Sequence, residues 1–142
     1  MIRRTALADV PALLALWRAA VEATHHFLTA ADVDAIEAQV RGYLASDAEL
    51  WTAERDGRPV GFMGLDGEEI VSLFVDPAAH RGGIGWALMD HAQARGATWL
   101  GVNEQNPGAI AFYQRLGFTV TDRSDLDSEG RPFPILTMRR TA

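Results

Sequence analysis

The apolar run EIVSLFV (69–75) is followed by Asp76-Pro77 and then by the glycine-rich turn HRGGIG (80–85). A run with helical spacing of apolar residues comes next and ends near Gly96. A strand, a glycine-rich turn and a helix in this order leave unpaired N–H groups at the start of the helix, where the helix dipole favours an anion. The segment therefore predicts either a phosphate-binding turn or a tight structural turn between a strand and a helix.

The spacing of these glycines rules out two common nucleotide-binding motifs. A P-loop requires a lysine after its last glycine, and the chain contains no lysine at all. A dinucleotide-binding fingerprint requires Gly-x-Gly-x-x-Gly after the first strand, whereas this turn reads Gly-Gly-x-Gly beyond the middle of the chain. The turn therefore either binds another kind of phosphate-containing ligand or has a structural role.

Periodicity and turn residues predict the other elements. The first strand is expected at residues 2–5, the first helix after an N-cap at Asp9, and the second helix from about Asp32. Asn106 is expected to cap a later helix that ends at Gly117. The remaining strands are predicted at residues 49–54, 60–65, 98–102, 118–123 and 134–139.

This order of elements predicts an α/β fold of the α+β type, with a central mixed antiparallel and parallel sheet flanked by about four helices. The strand at 69–75 is expected to be central and buried on both faces, because nearly all its residues are apolar. A chain of 142 residues is expected to form one domain, spanning residues 1–142.

Composition narrows the classes of function. The chain has no cysteine, which excludes disulfides, thiolate metal sites and cysteine nucleophiles, and its four histidines lack metal-site spacing. A net charge of −6 argues against nucleic acid as a partner. We expect no membrane association and a cytoplasmic location, since no long apolar stretch or signal-peptide pattern is present.

Two motifs resemble those of the GNAT N-acetyltransferases. HRGGIG (80–85), after a strand that ends in Val-Asp-Pro, is similar to the coenzyme A pyrophosphate loop of that superfamily. NPGAIAFYQRLGF (106–118) resembles its Asn-x-x-Ala-x-x-Phe-Tyr-x-x-x-Gly-Phe segment. The segments EATHHFL (22–28) and DRSDLDSEGRPFPIL (122–136) are similar to those of small single-domain bacterial members of the YjaB type. The resemblance covers essentially the whole chain and implies the GNAT fold.

The resemblance also implies a set of cofactor-binding residues. The main chain of the fourth strand would pair with the pantetheine arm, and its amide near Leu73 and Phe74 would polarise the acetyl carbonyl. The turn at residues 80–85 would bind the pyrophosphate, and the helix that begins after Asn106 would contact the pantetheine arm. The full set is Leu73, Phe74, Val75, His80, Arg81, Gly82, Gly83, Ile84, Gly85, Trp86, Asn106, Phe112 and Tyr113.

By the same resemblance, Tyr113 would be the general acid for the leaving sulfur. His25, His26 and Phe27 would form part of the acceptor site, with His25 a possible base and Asn103 a holder of a base water. Gly101 stands where many relatives carry an acidic base, so the motif does not assign the base. Trp86 would either stack on adenine or contact a partner protein.

The sequence therefore predicts an acetyl-CoA-dependent N-acetyltransferase without a metal, acting by direct transfer in a ternary complex. The expected acceptor is a primary amine on a small molecule, and the protein is expected to be a monomer or a homodimer. The alternatives are a protein lysine or N-terminal acetyltransferase, a catalytically weak module that senses coenzyme A, and a regulator that binds another nucleotide.

Overall fold

The computed structural model describes residues 1–79 and 82–140. The strands are β1 Ile2–Arg4, β2 Glu49–Arg55, β3 Arg58–Asp66, β4 Glu69–Val75, β5 Trp99–Asn103, β6 Phe118–Ser124 and β7 Ile135–Arg140. The helices are α1 Val10–Thr24, α2 Ala30–Leu44, α3 Ile84–Ala94 and α4 Pro107–Arg115. Each predicted element is present, with bounds that differ by a few residues at most.

The strands form one mixed sheet in the order β1-β2-β3-β4-β5-β7-β6. β4 and β5 are parallel, and the other neighbours in this order are antiparallel. The turn between β2 and β3 has positive φ angles at Asp56 (54°) and Gly57 (75°), as the Asp-Gly signal predicts for a tight hairpin. The predicted fold class is confirmed.

Each face of the sheet carries its own hydrophobic core. Side chains of β2 and β3 alternate between the faces, so that Leu50 and Phe62 pack under α1 and α2, while Trp51 and Met63 pack with α3. Phe62 and Met63 are both almost fully buried. The sheet is thus a middle layer with helices on both sides.

The starts of the first two helices differ from the prediction. Asp9 precedes α1 but makes no capping bond to it, because its carboxylate binds the Arg3 guanidinium and the Ala6 amide instead. α2 begins two residues before Asp32, after Thr29. Thr29 Oγ1 accepts from the Asp32 amide, and the Asp32 carboxylate accepts from the Thr29 amide, which completes a capping box.

β4 departs from the expected buried strand. It pairs with β5 only at Glu69 and Ile70, and the two strands then diverge. Val71 is 44 % exposed, and the four residues that follow it in the strand, 72–75, are half-buried. The prediction of burial on both faces was therefore wrong beyond Ile70, because the apolar side chains there line a gap in the sheet.

No helix within residues 1–79 and 82–140 has both the length and the hydropathy needed to cross a membrane.

Candidate active site

A cleft of about 660 Å³ opens where β4 and β5 diverge. Its walls come from the second half of β4, the first turn of α3, one face of α4 and the end of α1. The predicted site residues that line it are His25, Leu73, Phe74, Val75, Gly83, Ile84, Gly85, Trp86, Asn106, Phe112 and Tyr113. Residues distant in the sequence are thereby brought to one place.

The main chain of β4 presents free hydrogen-bond donors to this cleft. Just beyond the strand, the Asp76 amide donates to the carbonyl of Val60 on β3 across 2.8 Å. In an antiparallel pair, amides that face the neighbouring strand alternate with amides that face away. The amides of Leu73 and Val75 therefore point away from β3, into the gap that β5 leaves open.

The first turn of α3 is suited to an anion. Gly83, which has no side chain that could cap the helix, occupies the N-cap with a left-handed φ of 74°. The amides of Ile84, Gly85 and Trp86 consequently have no helical partner. Arg55 Nη2 donates to the Gly82 carbonyl at 3.0 Å and so ties the turn to the end of β2. The predicted cofactor residues His80 and Arg81 lie outside the described residues.

α4 contributes aromatic side chains and an amide. Asn106 Oδ1 accepts from the Ala109 amide at 3.2 Å, as predicted for an N-cap, which leaves its NH2 group as a donor. The Tyr113 side chain is 8 % exposed, and its burial raises the pKa of the phenol to about 12. Trp86 is 55 % exposed and meets the Phe112 ring edge-on, with centroids 6.3 Å apart.

His25 also lines the cleft, as the C-cap of α1. Its Nδ1 lies 2.7 Å from Thr24 Oγ1. Burial, followed by the neighbouring His26, lowers the pKa of the His25 imidazole below its ordinary value. The ring also contacts Phe27, which in turn packs against Phe133, with centroid distances of 5.4 and 5.5 Å. An aromatic row thus leads from the cleft towards the connection between β6 and β7.

Several predicted site residues do not line the cleft. His26 is exposed on the connection between α1 and α2, and Phe27 lies in the row behind His25. Asn103 Oδ1 accepts from the Gln105 amide at 2.8 Å, because the chain turns there after β5. Gly82 forms the outer side of the turn, and its carbonyl is bound by Arg55.

The cleft also contains residues that sequence reasoning missed. These are Ala20, Ala23, Thr24, Pro77, Ala79, Gly108, Ala109 and Arg115. Helical spacing carried a signal for some of them, since Gly108, Phe112 and Arg115 share one face of α4. The role of Arg55 had no sequence signal, because it depends on the approach of β2 to the turn.

The described residues do not include three His, Cys, Asp or Glu side chains grouped so that they could hold a metal ion.

Residues 46–120 match the family model described as an acetyltransferase (GNAT) domain. The chain belongs to the GNAT acetyltransferase family. It is 44 % identical to the "Peptidyl-lysine N-acetyltransferase YjaB" of Salmonella typhimurium, over 96 % of this chain and 95 % of that protein. The solution structure of apo-form YjaB from Escherichia coli superposes with a TM-score of 0.93 at 39 % identity, covering 100 % of this chain and 97 % of the other.

A further solved structure shares the fold at lower identity. The PaiA N-acetyltransferase of Thermoplasma acidophilum, determined in complex with coenzyme A, has a TM-score of 0.72 at 19 % identity, covering 98 % of both chains. Membership in the family makes the protein an acetyltransferase that uses acetyl-CoA as cosubstrate. The cleft fits this molecule, since it joins an uncapped helix start for phosphates to a strand edge for the pantetheine amides.

Proposed function

We propose that this GNAT acetyltransferase transfers acetyl groups to lysine side chains of proteins. The observation that carries the proposal is the row formed by His25, Phe27 and Phe133, which continues the cleft towards the surface. An apolar row of this kind suits the long methylene stem of lysine, and aromatic faces attract its ammonium group. The names of the YjaB relatives support the same acceptor.

This acceptor differs from the small-molecule amine expected from the sequence. The net charge of −6 favours a cationic acceptor of either kind and does not separate them. The end of the cleft next to His25 distinguishes a protein acceptor from a small-molecule acceptor better. The residues around it, Ala23, Thr24 and His26, are exposed. An end that opens to solvent leaves room for a protein that stays outside while its lysine enters.

The proposed mechanism divides three tasks among the cleft residues. Acetyl-CoA supplies a thioester carbonyl that a neutral amine can attack. The Leu73 amide would donate to the carbonyl oxygen and stabilise the negative charge that develops there, an effect for which one donor is typically worth roughly 10²–10³ in rate. Its orientation into the gap beside β4 supports this role.

Proton transfer would involve His25 and Tyr113. The imidazole of His25 would take a proton from the attacking nitrogen as the new C–N bond forms. The Tyr113 hydroxyl would give its proton to the sulfur as the C–S bond breaks. Burial keeps both groups in the required form near neutral pH, since it lowers the pKa of His25 and raises that of Tyr113.

The test is a comparison of acceptors, with thiol release from acetyl-CoA as the readout. An Nα-blocked peptide with one lysine is compared with the same peptide carrying arginine, with an unblocked peptide without lysine, and with spermidine. We expect kcat/KM for the lysine peptide to exceed that for spermidine by roughly tenfold or more, a difference of about 1.4 kcal/mol. Preference for spermidine or for the free N-terminus would overturn the proposal.

The composition of the chain excludes self-acetylation on lysine from this assay. The chain contains no lysine, so an acetyl group found on a lysine by mass spectrometry must lie on the acceptor protein. Acetyl-CoA binding without turnover on any of these amines would instead support the module that senses coenzyme A.

A further inference from the structure

We propose that Thr24 is a positioning residue, which fixes the tautomer of His25 so that Nε2 is the unprotonated ring nitrogen. The proposal rests on the role of His25 as base in the proposed function. Thr24 was not among the residues selected from the sequence.

The hydrogen bonds of the Thr24 hydroxyl carry the argument. Thr24 Oγ1 lies 2.8 Å from the carbonyl oxygen of Ala20, one helical turn earlier. A carbonyl oxygen can only accept, so the single hydroxyl proton points to Ala20. The same Oγ1 lies 2.7 Å from His25 Nδ1, and it has no second proton to donate. Both contacts of the hydroxyl are satisfied when His25 Nδ1 carries a proton and donates it to Thr24 Oγ1.

The neutral imidazole has one protonated and one unprotonated nitrogen. With the proton held at Nδ1, the lone pair belongs to Nε2, which is the nitrogen available to take a proton from an acceptor. The backbone around the ring is also fixed, because the His25 amide donates to the Val21 carbonyl at 2.7 Å and the His25 carbonyl accepts from the Leu28 amide at 3.1 Å.

The surroundings of the ring favour the neutral form. Burial and His26 both lower the pKa of His25. β4 presents Leu73, Phe74 and Val75 to the same cleft, none of which ionises. Across the cleft, α4 presents the Tyr113 phenol, whose raised pKa keeps it neutral, and the Arg115 side chain.

The first experiment measures the tautomer directly in the free protein. Long-range 1H–15N correlation NMR above neutral pH distinguishes a protonated Nδ1 from a protonated Nε2, and the His25→Gln variant assigns the signals. We expect a protonated Nδ1 in the wild type and in Thr24→Ser. In Thr24→Val, which keeps the shape but loses the hydroxyl, we expect a shift towards protonated Nε2. A protonated Nε2 in the wild type would overturn the proposal.

The second experiment measures kcat/KM for the lysine peptide. Thr24→Val should lower it by roughly tenfold or more, since a correctly placed general base contributes about 10²–10⁴. Thr24→Ser should restore it, and Thr24→Val should have no further effect in the His25→Gln background. Equal losses in both Thr24 variants, or an additional loss without His25, would show a merely structural role.

The two proposals fail in different ways. If the wild type acetylates no lysine, the proposed function fails, and the NMR experiment still decides the tautomer. If the wild type acetylates lysine and Thr24→Val matches it in rate, only the role of Thr24 is overturned.

Discussion

Gly85 in the first turn of α3 lies directly against the ring of Phe112 on α4. A Cβ atom at position 85 would stand 3.2 Å from Phe112 Cζ, a distance tighter than ordinary van der Waals contact. This close approach joins two helices that line the cleft. The third glycine of the HRGGIG turn is therefore required by packing as well as by access to the main chain.

Gly85→Val should weaken acetyl-CoA binding. Its branched side chain would push Phe112 or the start of α3 out of place, and overpacking of this kind typically costs about 1–3 kcal/mol. We expect the dissociation constant for acetyl-CoA, measured by calorimetry, to rise by roughly tenfold. Gly42→Ala is the matched control, because a Cβ there meets no atom of residues 1–79 or 82–140 within 4 Å. It lies in α2 and should instead raise the free energy of unfolding by about 0.5–1 kcal/mol. Unchanged binding in Gly85→Val would contradict the close packing.

Tyr113→Phe should lower kcat and leave acetyl-CoA binding unchanged. The change removes only a hydroxyl, whose pKa is shifted by burial and not by a hydrogen bond to residues 1–79 or 82–140. Loss of a general acid typically costs roughly 10²–10⁴ in rate. Because burial raises the pKa of Tyr113 to about 12, the phenol stays protonated, and its ionisation should not limit the rate below about pH 11. A kcat within a few-fold of the wild type would exclude Tyr113 as the acid.

Trp86 should report the adenine end of the cosubstrate by its fluorescence. The indole is 55 % exposed beside the cleft, whereas Trp17 and Trp51 are buried. We expect acetyl-CoA to quench the emission, and acetylpantetheine, which lacks the nucleotide, to leave it nearly unchanged. The Trp86→Phe variant should lose the quenching and bind acetyl-CoA more weakly. Equal quenching by both ligands would place the adenine elsewhere.

His91 should make the protein less stable in mild acid. Its ring packs edge-on against Trp51, with centroids 4.3 Å apart, and its Nε2 is buried without a partner among the described residues. Burial, and then the charge of Arg95, lower the pKa of His91 in the folded state. The unfolded chain therefore binds the proton more readily, so the free energy of unfolding falls as pH drops through about 6.5.

The variant His91→Phe keeps the ring and should flatten this dependence between pH 7 and 5, as followed by urea unfolding. Gly42→Ala, which changes no ionisable group, serves as the control and should retain the wild-type slope. His25 contributes in the same direction as His91, so part of the slope should remain in His91→Phe. An unchanged slope in His91→Phe would show that His91 is not the source.

Local patterns were sufficient for most elements of the fold. The Asp56-Gly57 turn, the Asn106 cap and the glycine at position 117 act over a few residues, so their signals are present in the sequence. Asp9 shows where such reasoning fails. It has the right residue type and place for a cap, yet its carboxylate binds Arg3 on the neighbouring strand. Arg3 is only six residues away, but its contact with Asp9 depends on how the chain turns between β1 and α1, which residue type and position do not reveal.

Most of the residues that the two motifs selected line one cleft, because a glycine turn at a helix start dictates its own donors. The residues selected from the connection between α1 and α2 do not all line it. His25 lies in the cleft and His26 does not, although the two are adjacent and chemically identical. Only the path of the chain out of α1 separates them.

The sequence by itself determined the order of helices and strands, the uncapped glycine turn and the family, since each depends on short-range chemistry. The tertiary structure decided which amides are free and which side chains meet. β4 exposes the Leu73 amide only because it separates from β5 after Ile70. Thr24 can fix the tautomer of His25 only because the last turn of α1 has already taken the hydroxyl proton. Both facts depend on the residue at which a run of backbone hydrogen bonds ends. Packing across the sheet determines that residue.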